Sequence, residues 1–413
     1  MDWLTNPSLI TAGVLLALYQ VIAALPWLRA IDPKGFSQTV RNPTSLGYAV
    51  LSVIGIGLMF AVYLGYTGQS ANITLYGKVY GSILHLQLLI DFFILAPQAL
   101  ILVSPKAGAV AQAAYREGWR QPMFWLIAAF GIALMGLSIV IPYFTFGDDY
   151  KMMKQIGFDI CMLAAVLFGV LASSMSISEE IEGRTAITVM SKPISRRQFL
   201  IGKFLGILMA CIAMTLILGW FLNWALIINP AYDKINEVSD PMSIQARVEI
   251  APLVQRLVPG TTGKLFAEGT GYWVGETVAH SFGLLLGFGQ VMILVALASA
   301  LATKMPFVVN VVLCLVLYFL GHMAPVVVKV TDKKDATGEG GTGNGLIRFL
   351  GQLFDTILPP LEFFNMSPAI VRDTPLDLWA FASYVLSVFG CAIIYTMIAI
   401  IIGLLLFEDR DLA

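Results

Sequence analysis

Polar residues are so sparse along this chain that they divide it rather than pattern it. Predominantly apolar runs fall at approximately 8–28, 46–66, 83–104, 122–145, 157–177, 198–228, 278–302, 305–328 and 377–407. A run of about 18 residues or more is long enough for a helix to cross the hydrocarbon core of a bilayer, and a helix satisfies its backbone groups without water. The pattern therefore predicts an all-α integral membrane protein with about nine transmembrane helices. The flank of the first run, "MDWLTNPS", has no Lys or Arg, unlike the positive leader of a signal peptide, so this run is read as a retained membrane helix.

Two of the connections are long, 229–277 and 329–376. The first carries no recognisable chemical motif. The second opens with "TDKKDATGEGGTGNG", a Gly-rich linker composition. It continues with Leu346, Ile347, Leu350, Leu353, Phe354, Ile357 and Leu358 at helical spacing. That stripe predicts a helix lying in or dipping into the membrane surface until Pro359 and Pro360 stop it.

Composition sharpens the picture. Of 413 residues 58% are hydrophobic and 12% charged, against about a quarter charged in a soluble domain, which excludes an ordinary soluble enzyme. The net charge of −1 gives no general attraction to nucleic acid. With nine helices the termini fall on opposite sides, and the distribution of Lys and Arg assigns the sides. Arg29, Lys34, Arg41, Lys106, Arg116, Arg120, Arg184, Lys192, Arg196, Arg197, Lys203, Lys304 and Arg410 are then inside, the N-terminus outside and the C-terminus inside. Both long connections lie outside on this assignment.

The most charged stretch of the chain is "SEEIEGRTAITVMSKPISRRQFLIGK", residues 178–203, between two apolar runs. Gly183 weakens the emerging helix, at about 1 kcal/mol relative to alanine. Beyond it, Ala186, Ile187, Val189 and Met190 gather on one side of a short helix, with Thr185, Thr188 and Ser191 on the other. Pro193 ends this element. Ser195 and Gln198 then form a capping box that starts the next membrane helix. Lys203 is expected to extend its ammonium back to the interface. The product is a compact knob below the bilayer, suited either to anionic head groups or to docking a soluble protein through a small apolar patch ringed by charge.

This stretch resembles the coupling segment of type-2 ABC exporter permeases, in which E-x-x-x-G-[RST] leads through an apolar turn to S-[KR]-P-[VI]-[SR]-R and then G-K. Glu179, Glu180, Gly183, Arg184 and Thr185 match the first part; Ser191, Lys192, Pro193, Ser195, Arg196, Arg197, Gly202 and Lys203 match the second. "AYREGWRQPMFW", 114–125, is similar to the elbow helix of these permeases, placed here at 110–121, and "LLLFEDRDLA" is similar to their charged tail. The resemblance implies a six-helix permease core over 105–413, preceded by a three-helix extension over 1–104 for which it supplies no role. Within that family the chain resembles the larger permeases of gliding-motility and nitrous-oxide-reductase maturation systems.

It implies further that the coupling residues, with Ile187 and Met190 at the apolar centre, sit in a cleft of a separate ATPase subunit. That subunit would bind ATP and magnesium, and this chain would hold no cofactor. A second permease, as homodimer or heterodimer, and the inner membrane of a prokaryote complete the expectation.

Catalytic signatures are missing from the sequence. No G-x-x-x-x-G-K-[ST] loop is present; the nearest string, "GTTGKLF" at 260–266, lacks the spacing and the hydroxyl. His85, His280 and His322 fall on different predicted helices without metal-ligand spacing. Cys161, Cys211, Cys314 and Cys391 fall inside predicted helices and read as buried thiols. Asp91 and Asp159 are intramembrane carboxylates and so functional candidates by default. They keep open a second reading, an ion-coupled transporter or intramembrane enzyme without an ATPase, and a third is a membrane anchor for a soluble complex.

Overall fold

The computed structural model describes residues 6–68, 70–141, 149–182, 194–232, 246–332, 345, 349–354, 361–365 and 378–408. These residues form an all-α protein. The principal helices are α1 (Pro7–Ile31), α2 (Pro33–Arg41), α3 (Pro43–Thr67), α4 (Ile73–Val103), α5 (Pro105–Arg120), α6 (Pro122–Val140) and α7 (Asp149–Glu182). They are followed by α8 (Arg196–Tyr232), the short α9 (Ala251–Gln255), α10 (Thr261–Leu301), α11 (Phe307–Asp332) and α12 (Leu378–Glu408). Among the described residues eight are long and apolar enough to cross a membrane; where a ninth span is expected, over 305–328, α11 has a shorter apolar part, Phe307–Met323.

Helix starts follow a repeated local rule. Five helices have Pro at their first position, where its missing N–H costs nothing. Before three of them stands Asn or Asp as cap: Asn6 Oδ1 accepts from the Ser8 N–H at 3.1 Å, Asp32 Oδ1 from Gly35 at 2.9 Å and Asn42 Oδ1 from Thr44 at 3.1 Å. Gly260, at φ 79°, turns the chain into α10 through a conformation that a side chain disfavours.

Two compact units partition the chain: 1–99 with 142–150 and 219–281, and 100–141 with 151–218 and 282–413. In the first, backbones approach through small residues, as membrane helices do where lipid supplies no hydrophobic drive. A Cβ on Gly13 would overlap the Gly57 carbonyl, which seats α1 on α3. A Cβ on Gly77 would overlap the Phe266 carbonyl, which seats α4 on α10, and the Thr270 hydroxyl donates to the Gly77 carbonyl at 3.0 Å. Around these notches lies a core of Leu9, Leu16, Leu64, Ile73, Tyr80 and Phe266. The Tyr80 hydroxyl is not wasted there; it donates to the Leu16 carbonyl at 2.7 Å.

In the second unit, Phe124 of α6 meets Phe168 of α7 edge-on at 5.2 Å. Asn310 of α11 donates to Ser174 Oγ and to the Ala298 carbonyl, each at 2.9 Å, so one buried amide ties α11 to α7 and α10. Trp119 and Trp125 meet edge-on at 5.0 Å where α5 gives way to α6.

Several edges differ from hydropathy. Helix α10 begins at Thr261 rather than 278, because its first turns bury polar groups that read as loop. Glu276, 2% exposed, accepts from the Tyr150 hydroxyl at 3.3 Å and lies beside His280. Helix α4 likewise begins at Ile73 rather than 83. Cys161, Cys211 and Cys314 are buried as expected, but Cys391 of α12 is exposed. Of the stripe expected over 346–358, residues 349–354 are helical, with Leu350 and Leu353 exposed; Leu346, Ile347, Ile357, Leu358, Pro359 and Pro360 lie outside the described residues.

The notches predict a contrast. Gly77→Leu should destabilise the protein by about 1–3 kcal/mol, as overpacking does, whereas Gly55→Leu, where nothing lies within 4 Å, should be neutral. Thermal loss of the monodisperse gel-filtration peak in detergent measures both; equal midpoints would refute the α4–α10 seat.

Candidate functional site

Residues 183–193 lie outside the described residues, and with them Gly183, Arg184, Thr185, Ile187, Met190, Ser191, Lys192 and Pro193. The two helix ends that carry this segment are described, and they hold Glu179, Glu180, Ser195, Arg196, Arg197, Gly202 and Lys203. Glu179 is exposed on the last turn of α7.

The start of α8 is built as the sequence predicts. Gln198 N–H donates to Ser195 Oγ at 3.2 Å and Ser195 N–H donates to Gln198 Oε1 at 3.1 Å, the reciprocal pair of a capping box. The two arginines that follow turn toward the last helix. Arg196 Nη1 donates to the carbonyls of Phe407 and Glu408 at 2.9 and 3.0 Å, satisfying acceptors that the end of α12 leaves without helical partners. Arg197 forms an ion pair with Glu408 at 2.8 Å. Both partners are well exposed, so that pair alone contributes at most about 1 kcal/mol.

Gly202 and Gly206, one turn apart on α8, make a second notch. A Cβ on Gly202 would meet the Ala107 carbonyl and Val110; one on Gly206 would meet Ala111 and Ala114. Helix α5 lies in this notch through Ala107, Val110, Ala111, Ala114 and Tyr115, and its Gly118 faces Ala210 of α8. It begins at Pro105, one turn earlier than the elbow expected at 110. Burial pushes the Tyr115 phenol up to about 12, so it remains a neutral hydroxyl there.

The close seat of α5 decides where Lys203 goes. Rather than extending to the interface, Lys203 is 5% exposed. Its Nζ donates to Glu180 Oε1 of α7 at 2.5 Å, Ser176 Oγ of α7 at 2.9 Å and Glu117 Oε2 of α5 at 3.2 Å. All three ammonium protons find acceptors, which is the condition for burying this charge. Snorkelling fails because α5 covers the route and two carboxylates meet the ammonium before water does. Beside it, Ser178 Oγ donates to the Met305 carbonyl at 3.2 Å, and Ile177, Ile181, Phe199, Leu200, Ala302 and Phe407 form one core cluster. The ends of α7, α8, α10 and α12 are thereby fixed around the departure and return of the 183–193 segment.

Glu117, Ser176 and Glu408 were not singled out in the sequence. Their signal was electrostatic: a lysine inside an apolar run requires carboxylates from elsewhere, and charged residues in the elbow and tail strings can supply them.

A family model described as ABC-2 family transporter protein matches residues 1–412. The chain belongs to the ABC-2 family of transporter proteins. Neither a curated protein nor a solved structure matches it. As an ABC-2 permease it is a multi-pass membrane protein, of a class that in general works with an ABC ATPase.

The two intramembrane carboxylates of this ABC-2 permease are differently placed. Asp91 of α4 is 7% exposed and accepts from the backbone N–H of Trp27, the residue after Pro26 inside α1. Asp159 of α7 is exposed toward a pocket that it shares with Gln155, Gln290, Tyr318, His322 and Asn365. Asp159 lies ten residues inside α7, so the helix carries it well away from the 178–203 end.

Breaking the lysine cluster should leave two carboxylates facing each other without their cation. Lys203→Met is expected to destabilise the ABC-2 permease by about 3 kcal/mol. Glu180→Gln should cost more than Glu117→Gln, because Glu117 is the more exposed partner, at 45% against 26%. Thermal midpoints in detergent rank the three variants; a Lys203→Met protein as stable as wild type would overturn the role given to the cluster.

Proposed function

We propose that the chain is the permease subunit of an ABC exporter, and that residues 178–203 couple it to a separate ATPase. On this reading the chain is not itself catalytic; ATP and magnesium belong to the ATPase, and the permease contributes helices that change their packing. Two copies, or this chain with a similar one, enclose the path. The segment lies on the cytoplasmic side of a prokaryotic inner membrane, with the N-terminus outside and the C-terminus inside. Residues 1–104 are an extension and 105–413 the core. Export as the direction follows from the resemblance of the coupling segment.

The Lys203 cluster carries this reading. A knob that receives force from a soluble subunit needs its base fixed to several helices, so that displacement moves them together as near-rigid bodies. Lys203, Glu180 and Glu117 join α8, α7 and α5 at that base, and Arg196 and Arg197 add α12. The ion-coupled alternative calls on Asp91 and Asp159, which belong to different compact units. Asp91 also has a structural engagement with Trp27.

Affinity purification from the native membrane tests the reading. An ABC ATPase should accompany the wild-type chain, and Ile187→Asp should remove it without lowering the thermal midpoint. Arg197→Glu is expected to affect α12 as well, so its charge-swapped partner, Arg197→Glu with Glu408→Arg, separates the clamp from docking by restoring stability. A wild-type chain that purifies without any ATPase, while ATPases are present in the membrane extract, would overturn the proposal.

A further inference from the structure

The pocket that holds Asp159 has a chemistry of its own. It encloses about 190 Å³, room for a group of several heavy atoms rather than a bare ion, and lies wholly among residues of the second unit. Its polar lining comes from α7 (Gln155 and Asp159), α10 (Gln290), α11 (Tyr318 and His322) and Asn365 after the Leu361–Phe364 turn. The remaining wall is apolar, with Phe158, Met162, Leu163 and Phe364. Along α7 the pocket is about 30 Å from Glu180, at 1.5 Å per residue.

Three groups of this lining can offer acceptors to an occupant. Asp159, when ionised, only accepts. Gln290 is 6% exposed, and its Oε1 is buried without a hydrogen-bond partner. His322 Nδ1 donates to the Tyr318 carbonyl at 2.9 Å, and Nε2 is an acceptor whenever the ring is neutral. Among the described residues, no Lys or Arg lines the pocket to meet them. An orphaned buried acceptor costs about 1–3 kcal/mol, and an intramembrane carboxylate costs more unless it faces a partner or water. Both costs are relieved by one occupant, a cation rich in N–H donors. The apolar wall suits a hydrocarbon attached to it.

We propose that this pocket binds a primary ammonium carried on an apolar body. Asp159 takes the charge, Gln290 Oε1 and His322 Nε2 take two N–H donors, and Phe158, Met162 and Phe364 cover the first carbons. Naming such an amine as cargo rests on the permease reading; its binding does not. A free amphiphilic amine and the ammonium of an amine-bearing lipid share this chemistry.

Full-length protein in phosphatidylcholine nanodiscs, probed with radiolabelled dodecylamine in a scintillation proximity assay, tests the site. Dodecylamine should bind saturably, dodecanol only by partition, and dodecyltrimethylammonium more weakly than the amine because it has no N–H. Asp159→Asn should weaken the amine about tenfold or more, the loss of a charge-assisted hydrogen bond. Gln290→Leu should weaken it less and serves as the independent variant if Asp159→Asn fails to fold by gel filtration. Replacing part of the lipid with phosphatidylethanolamine supports the lipid source if it competes and the free amine if it does not. Dodecylamine bound no better than dodecanol, or unchanged in every variant that folds, overturns the proposal. Amine binding lost while an ATPase still co-purifies with wild-type protein overturns the pocket and spares the permease reading. Saturable amine binding with no ATPase in the same purification supports the pocket and counts against the permease reading instead.

Discussion

A lysine ammonium removed from water must be met on all sides by acceptors, and that requirement organises the functional end of this protein. Lys203 sits 5% exposed against Glu180, Ser176 and Glu117. The arrangement exists only because α5 can approach α8 closely, and α5 approaches because Gly202 and Gly206 have no Cβ to hold it off. The glycine beside the lysine in the G-K pair therefore has its own physical reason. It opens the seat for the helix that delivers the second carboxylate. With the ammonium satisfied, the apolar contacts of Ile177, Ile181, Phe199 and Phe407 can close around the same helix ends.

The membrane helices were legible because nothing competes with hydropathy in a bilayer: a run of apolar residues has few alternatives to a spanning helix. The capping box at Ser195 and Gln198 was legible for a similar reason, since its partners are three residues apart. What depended on distant partners was not. The Lys203 cluster joins residues 86 positions apart, and the arginine contacts to α12 join residues more than 200 apart. No local pattern encodes either. The first turns of α10 were missed because Glu276 and its neighbours satisfy their polarity inside the protein, where a hydropathy window reads exposure.

Small residues recur wherever helices meet, at Gly13 with Gly57, Gly77 with Phe266, and Gly202 with Ala107. Dispersion and backbone approach supply adhesion at such seats, where the lipid would otherwise be an equally good apolar neighbour. These contacts are steeply repulsive on compression and weaken quickly on separation. They suit helices that pivot between a few packed arrangements better than helices that slide through many.

Helix α7 carries both Asp159 and Glu180 on one uninterrupted cylinder. A helix of this kind resists compression along its axis, so its two ends cannot be repositioned independently while it remains intact. Thermodynamic linkage then acts in both directions: an event that favours one placement of α7 at the Glu180 end alters occupancy at the Asp159 end by the same factor that occupancy alters the event. Such a rod needs no chain of relayed contacts to connect its ends. Its own hydrogen-bonded backbone is the connection, and a proline introduced midway would sever the correspondence while leaving both terminal clusters chemically whole.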